Sequence, residues 1–250
     1  MPKPLRTSAA TLRELTPPPG WNDPYACLSC QTWNDNQPHE VCTNCEDVQR
    51  ILGIEPLPIS VISLYRKPSP LRDWLTYYKG RPEEGEPPNQ SYRQIVSDIL
   101  ADFFDLHEPK LEAAAKGYDA FVVVPSTNNT PPHPLEGIMQ DLQLPKPTLS
   151  PLARGAGALG FRRPSAHGYE VTDPDMAGRV LIVDDVYTTG SRINSAAVAL
   201  RRAGIEVSGA VVIARRVNPG YSPEAQAFWD RQAQQPFTLD QGPHVQGVSK

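Results

Sequence analysis

The sequence predicts an α/β protein, a parallel twisted sheet flanked by helices, behind a small amino-terminal module built on four cysteines. Three observations carry this. The apolar, β-branched run Val180-Leu181-Ile182-Val183 leads into a short polar loop, then a helical pattern with Ile193, Ala196, Ala197 and Leu200 on one face, then a second β-rich run over 207–214. Strand, loop, helix and strand in that order form the right-handed crossover of a parallel sheet, whose ligands sit beyond the carboxyl ends of the strands. Second, Phe121-Val122-Val123-Val124 is too apolar for an edge and reads as a central strand. Third, the only cysteines are two Cys-x-x-Cys pairs, Cys27/Cys30 and Cys42/Cys45, separated by eleven residues.

In chain order, residues 1–19 read as a disordered tail and 20–47 as the cysteine module, with Trp21, Tyr25 and Trp33 as its scanty core. An α/β domain over 48–235 follows. A connecting helix is expected near 48–52, a strand over 59–65, a helix over 71–78, a polar loop over 81–90 and a longer helix over 92–106. The central strand lies within 118–125 and a helix over 135–142 follows it. Residues 149–175, rich in Gly, Ala and Pro, form a long loop before the 180–183 strand, and a terminal helix over 223–234 precedes a flexible tail at 236–250. The 28 prolines cluster at 17–19, 82–88, 131–134 and 145–151, where they mark loops rather than a disordered chain.

Two Cys-x-x-Cys knuckles can close on one ion, and four thiolates around a tetrahedral zinc make a closed structural site. Disulfides are the alternative, disfavoured because no apolar leader precedes the cysteines and the rest of the chain has cytosolic character. His39 lies between the pairs and reads as a surface residue, since four sulfurs already saturate the ion.

Asp184 and Asp185 close the strand, followed by Val186, Tyr187, Thr188, Thr189, Gly190 and Ser191. Hydroxyls, a glycine and the free amides that open a helix converge there, which makes an anion site. Adjacent carboxylates point in different directions, so they can accept from two hydroxyls of one ribose, or one can hold a metal. A solvated turn and a receiver-type acidic pocket are the plainer readings of Val-Asp-Asp, but neither accounts for Thr-Thr-Gly-Ser. A P-loop fits poorly, because no Gly-Lys-Ser/Thr follows and the turn holds no lysine.

The run Val183 to Ser191 resembles the 5-phosphoribosyl-1-pyrophosphate (PRPP) signature of type I phosphoribosyltransferases. Together with the cysteine pairs it resembles the ComF family, phosphoribosyltransferase-like proteins associated with DNA uptake in competent bacteria and found more widely. Tyr65, the stretch Leu71-Arg72-Asp73-Trp74-Leu75 and Tyr78-Lys79-Gly80 add to the likeness, which spans roughly residues 25–217. The resemblance implies the type I phosphoribosyltransferase fold with a zinc ribbon, and a transfer of ribose 5-phosphate from PRPP to a nitrogen acceptor with release of pyrophosphate. It implies ribose contacts from Asp184 and Asp185 and 5′-phosphate contacts from residues 186–191. It also implies a pyrophosphate loop at Ser126, Thr127 and Asn128, magnesium bound with PRPP, and the homodimer that type I relatives often form. A non-catalytic PRPP or nucleotide binder, or a competence accessory protein, is the alternative.

The implied pyrophosphate loop departs from the family pattern, since no lysine or arginine occurs between Lys116 and Lys146. Neutral donors do not replace charge-assisted ones on two phosphates. Arg154, Arg162 and Arg163 in the 149–175 loop are the expected substitutes, brought down by a hood-like closure. The formal net charge of −4, and the absence of Lys or Arg from Glu14 to Gln49, argue against nucleic-acid binding, which needs clustered cations. No apolar run approaches a membrane span, so a cytoplasmic protein is expected.

Overall fold

A computed structural model describes residues 4–20, 23–37, 39–55, 57–126, 132–173, 176 and 178–240. Its elements in chain order are α1 (Ala9–Arg13), α2 (Thr43–Leu52), β1 (Ile59–Tyr65), α3 (Pro70–Tyr77), α4 (Gln90–Ala114), β2 (Ala120–Val123), α5 (Pro134–Asp141), β3 (Thr148–Leu149), β4 (Leu152–Arg154), β5 (Tyr169–Val171), β6 (Arg179–Tyr187), α6 (Ser191–Arg202), β7 (Glu206–Arg216) and α7 (Pro223–Ala233). Five strands form one parallel sheet in the order β1-β7-β6-β2-β3, while β4 and β5 form a separate antiparallel hairpin. The sheet is mostly parallel and carries helices on both faces, as the alternation of strand and helix patterns predicted.

The period-two alternation of β6 divides the core between the faces. Val180 and Ile182 pack with Ile193, Ala196 and Leu200 of α6 and Phe228 of α7. Leu181 and Val183 face the opposite way, among Leu100 and Phe104 of α4, Phe121 of β2 and Leu135 of α5. Burying each such side chain contributes roughly 1.5–3 kcal/mol, so β6, with neighbours on both faces and both edges, is the best-anchored strand. β2 is likewise internal, between β6 and β3.

Several boundaries differ from the sequence reading. The amino-terminal segment is packed, not loose: both oxygens of the buried Asp102 accept from the amides of Arg6 and Thr7 at 3.0 and 2.7 Å, and Thr16 bridges Leu64 of β1. Of the expected carboxy-terminal tail, Phe237 packs on the α4 side and the buried Leu239 presents its carbonyl to His107 Nε2. Helix α4 runs past Leu106 and through Pro109, because Val96, Ile99, Leu100, Phe103, Phe104, His107 and Leu111 keep one buried face over its whole length. The expected boundary at residue 47 falls inside α2, whose first turn already holds Cys45. Among the described residues, no helix is long and apolar enough to cross a membrane.

Candidate functional site

Strand order fixes where a ligand crevice must lie. After β2 the chain passes through α5, which buries Leu135, Ile138 and Met139 on one face of the sheet, and returns as β3. After β6 it passes through α6, which buries Ile193, Ala196, Ala197 and Leu200 on the other face, and returns on the opposite side as β7. The adjacent strands β2 and β6 therefore send their connections apart, and their carboxyl ends open a crevice between them. The bend at 188–190, which the sequence singled out, lies at that end of β6, and Pro125 and Ser126 open the other expected loop just beyond β2.

Strand β6 continues to Tyr187, beyond the end expected at Val183, so the acidic pair lies within a strand. The pair is buried, at 2% and 0% exposure, and each carboxylate meets a different cation. Asp185 takes the Lys79 ammonium and accepts from Tyr78 Oη at 3.0 Å, on the α3 side. Asp184 faces Arg192 Nη2 at 3.3 Å, on the α6 side, and its Oδ1 accepts from the Asp185 amide at 3.0 Å. Burial pushes the Asp184 carboxyl up to about 7; Arg192 opposes this and Asp185 adds to it. Burial acts on Asp185 in the same sense, but the attraction of Lys79 and the cations behind it outweighs it and holds that carboxyl well below the ordinary range.

The bend after β6 is held from behind. The buried Arg215 donates to the carbonyls of Tyr187 at 3.3 Å and Thr188 at 2.7 Å, and Asn44 of α2 donates to the Thr189 carbonyl at 2.7 Å. The Thr189 and Ser191 hydroxyls lie 3.0 Å apart. Gly190 opens α6 with φ of 77° and leaves the helix without a side-chain cap. A Cβ there would stand 2.1 Å from Tyr187 Oη, so glycine is required by the packing of the loop itself, in addition to the ligand approach the sequence suggested. Uncapped amides at the start of a twelve-residue helix favour an anion.

A cavity of about 330 Å³ lies against this bend, lined by residues 184–193 with Lys79, Leu159, Gly160, Phe161 and Arg216. It brings together Asp184, Asp185, Val186, Tyr187, Thr188, Thr189, Gly190 and Ser191 of the sequence-derived site. Ser126 stands just beyond β2, next to Pro125, whose carbonyl accepts from Tyr169 Oη at 3.1 Å. Thr127 and Asn128 lie outside the described residues.

The 126–128 segment carries no cation, but other elements bring three to the cavity. Lys79, Arg192 and Arg216 line the cavity, whereas Arg154 donates to the Gly168 carbonyl at 2.5 Å and its guanidinium sits over the Tyr169 ring. Arg162 lines a neighbouring cavity, and Arg163 is exposed in the turn opposite Gly160. Arg192 and Arg216 escaped the sequence reading because an arginine in a helix's first turn, or at the end of a strand, has no spacing signal. Lys79 was marked only as part of the family likeness. Within the expected 149–175 loop, the described residues 149–173 are no open loop: the β4–β5 hairpin is pinned to α6 by the Ser165 amide, which donates to Ser195 Oγ at 2.8 Å, and it roofs the cavity with Leu159, Gly160 and Phe161.

His133, also passed over, caps α5 by accepting from the Leu135 amide at 3.1 Å. Burial pushes its imidazole down to about 4, so it stands neutral beside the Asp185–Lys79 pair.

Beside the site, Cys27, Cys30, Cys42 and Cys45 are buried, free of disulfides, and place their sulfurs within 4.8 Å of one another. The Cys27–Cys45 and Cys30–Cys42 separations are each 3.7 Å. Metal–sulfur bonds of about 2.3 Å in a tetrahedron set sulfurs about 3.8 Å apart, so the cluster fits one four-coordinate ion. The module packs on the sheet core and is tied to it by Arg215 Nε, which donates to the Cys30 carbonyl at 3.0 Å.

No family profile matches the chain, and no curated protein does. Among solved structures it is similar to an adenine phosphoribosyltransferase, at 20% identity over 51% of this chain and 71% of that one, with a TM-score of 0.34. At that level the likeness adds nothing to what strand order and crevice already establish.

Proposed function

We propose that the protein is a ComF-like phosphoribosyltransferase that binds PRPP and transfers its ribose 5-phosphate to a nitrogen acceptor, releasing pyrophosphate. One observation carries the reading. At the switch point of a parallel sheet, a single cavity joins the uncapped start of α6, the Thr188, Thr189 and Ser191 hydroxyls, two carboxylates and three cations. A phosphorylated sugar matches that set: its phosphate suits the helix start and hydroxyls, and its ring hydroxyls suit a carboxylate.

In this reading residues 186–191 hold the 5′-phosphate and Asp184, the less tightly paired acid, accepts from the ribose. Asp185 orients Lys79 toward the substrate's phosphates. Lys79, Arg192 and Arg216 stabilise charge on the departing pyrophosphate, the task for which the 126–128 loop lacks cations. The β4–β5 hairpin keeps water from the anomeric carbon. Magnesium, an oxygen-seeking ion bound mostly by the substrate's phosphates and by water, would be held with help from Ser126 and Thr127 and would neutralise charge on the leaving group. The four thiolates would hold a structural zinc.

The engagement of Asp185 by Lys79 and Tyr78 favours a second reading, a PRPP or nucleotide binder without turnover. Calorimetric titration of PRPP with magnesium, paired with a pyrophosphate-release assay over a panel of bases and amines, separates the two. Saturable binding lost in the Asp184→Asn/Asp185→Asn double variant, with pyrophosphate released, supports transfer. Binding without release supports the second reading, and absence of binding removes both.

A further inference from the structure

A second cavity, of about 210 Å³, lies between the four-cysteine module and the loop after β6. It shares Phe161, Thr188, Thr189 and Arg216 with the first cavity but contains none of Asp184, Asp185, Lys79 or Arg192. It adjoins the first at the Thr188–Thr189 bend, with Thr32, Trp33 and Cys42 of the cysteine module forming its far wall.

Three aromatic rings surround it. Trp33 and Tyr221 lie 5.9 Å apart between centroids, and the Arg162 guanidinium carbon stands 5.9 Å from the rings of both Phe161 and Tyr221. Phe161 and Tyr221 are 67% and 55% exposed, two of the three large hydrophobic side chains more than half exposed among the described residues. Two exposed aromatic rings flanking one arginine at a single cavity form a stacking surface. The charge is one-sided: Arg162 and Arg216 line the space, and its one carboxylate, Asp35, accepts from the Thr43 amide at 2.8 Å. Asn218 adds an amide able to pair with the edge of a ring.

We propose that this cavity is a second ligand site, taking a planar heteroaromatic ring that carries an anionic group, of the nucleoside monophosphate class. The ring stacks among Trp33, Phe161 and Tyr221, and the phosphate meets Arg162, which lines this cavity and not the first. A polynucleotide fits less well, because Glu40, Glu46 and Asp47 of the same module repel an extended phosphate chain. The inference stands apart from the transfer reaction, since it needs no PRPP in the neighbouring cavity.

Calorimetry on the intact, metal-loaded chain tests it, with AMP and UMP as probes and ribose 5-phosphate and inorganic phosphate as controls. AMP should bind more tightly than either control, and binding should persist when PRPP is saturating. Tyr221→Ala should weaken AMP about tenfold, the scale of one lost stacking partner, while Tyr221→Phe retains it. The Trp33 indole N–H resonance should shift on addition of AMP, a readout that needs no variant. Displacement of AMP by PRPP one for one, equal affinity in Tyr221→Ala, or tighter binding of a single-stranded oligonucleotide than of AMP would each overturn the assignment. A chain that binds AMP in this way and PRPP not at all would refute the transfer reading and leave this one standing.

Discussion

Lys79 and Asp185 form a largely buried ion pair at the cavity's edge, the lysine side chain 17% and the aspartate 0% exposed. Removing one partner of such a pair strands the other's charge, at a cost of about 3–5 kcal/mol. We therefore expect Lys79→Met to lower unfolding free energy by about that amount in urea titrations, and Lys79→Met/Asp185→Asn to recover most of it. A double variant no better than the single would mean that Lys79 acts through something other than Asp185. The neighbouring Asp184 makes a pH prediction. Its folded pKa of about 7 lies above the unfolded value, so its contribution is fully present below about pH 4 and is lost as pH rises through 7. His133, lowered to about 4, acts in the opposite direction, adding stability as pH rises from about 4 to 6.5. Both chains carry His133, so the difference between wild type and Asp184→Asn isolates the acid. Wild type should lose on the order of a few kcal/mol relative to the variant between pH 4 and 8, measured by denaturant unfolding at stepped pH.

The loop after β6 makes Gly190 and Gly204 an informative pair. Both have positive φ, 77° and 81°, but a Cβ at Gly204 meets open space while one at Gly190 meets Tyr187 Oη and Asn194 Nδ2. Gly204→Ala should cost about 1 kcal/mol, the ordinary penalty for a left-handed helix stop. Gly190→Ala should cost clearly more and also abolish binding of inorganic phosphate at the start of α6. Equal costs at the two positions would show that the 187–190 bend has slack. This bend was legible from the sequence because hydroxyls, glycine and a following apolar period coincide within four residues. The extension of β6 to Tyr187 was not, since Asp184 and Asp185 inside a buried strand contradict its propensity, and only Lys79, in the turn after α3, and Arg192 of α6 make them tolerable. Helix α4 was cut short at Leu106 for a similar reason: the local signal of Pro109 competes with a buried face that continues to Leu111, and the face prevails.

At the scale of the whole molecule, the cysteine module buttresses the bend after β6 from behind and is not a separate bead. Arg215 Nε donates to the Cys30 carbonyl, its Nη2 lies 3.6 Å from Cys30 Sγ, and its Nη1 supports the carbonyls of Tyr187 and Thr188. Asn44, within the second knuckle, supports the Thr189 carbonyl. The sequence showed the two cysteine pairs plainly but gave no sign that they dock here, because Arg215 lies 185 residues from Cys30 and nothing local announces the pairing. An ion held by the four thiolates would therefore also position the residues behind the bend after β6, and its removal should be felt there. We expect about one zinc per chain by elemental analysis, and stepwise extraction with a chelator should reduce PRPP affinity in proportion to the zinc lost. Arg215→Lys separates the two effects: a lysine offers a single ammonium and cannot span the Cys30 carbonyl and the Tyr187 and Thr188 carbonyls together, so the variant should keep its zinc yet bind PRPP more weakly. Full PRPP affinity in a zinc-free, folded chain would show instead that the bend holds its shape without the module.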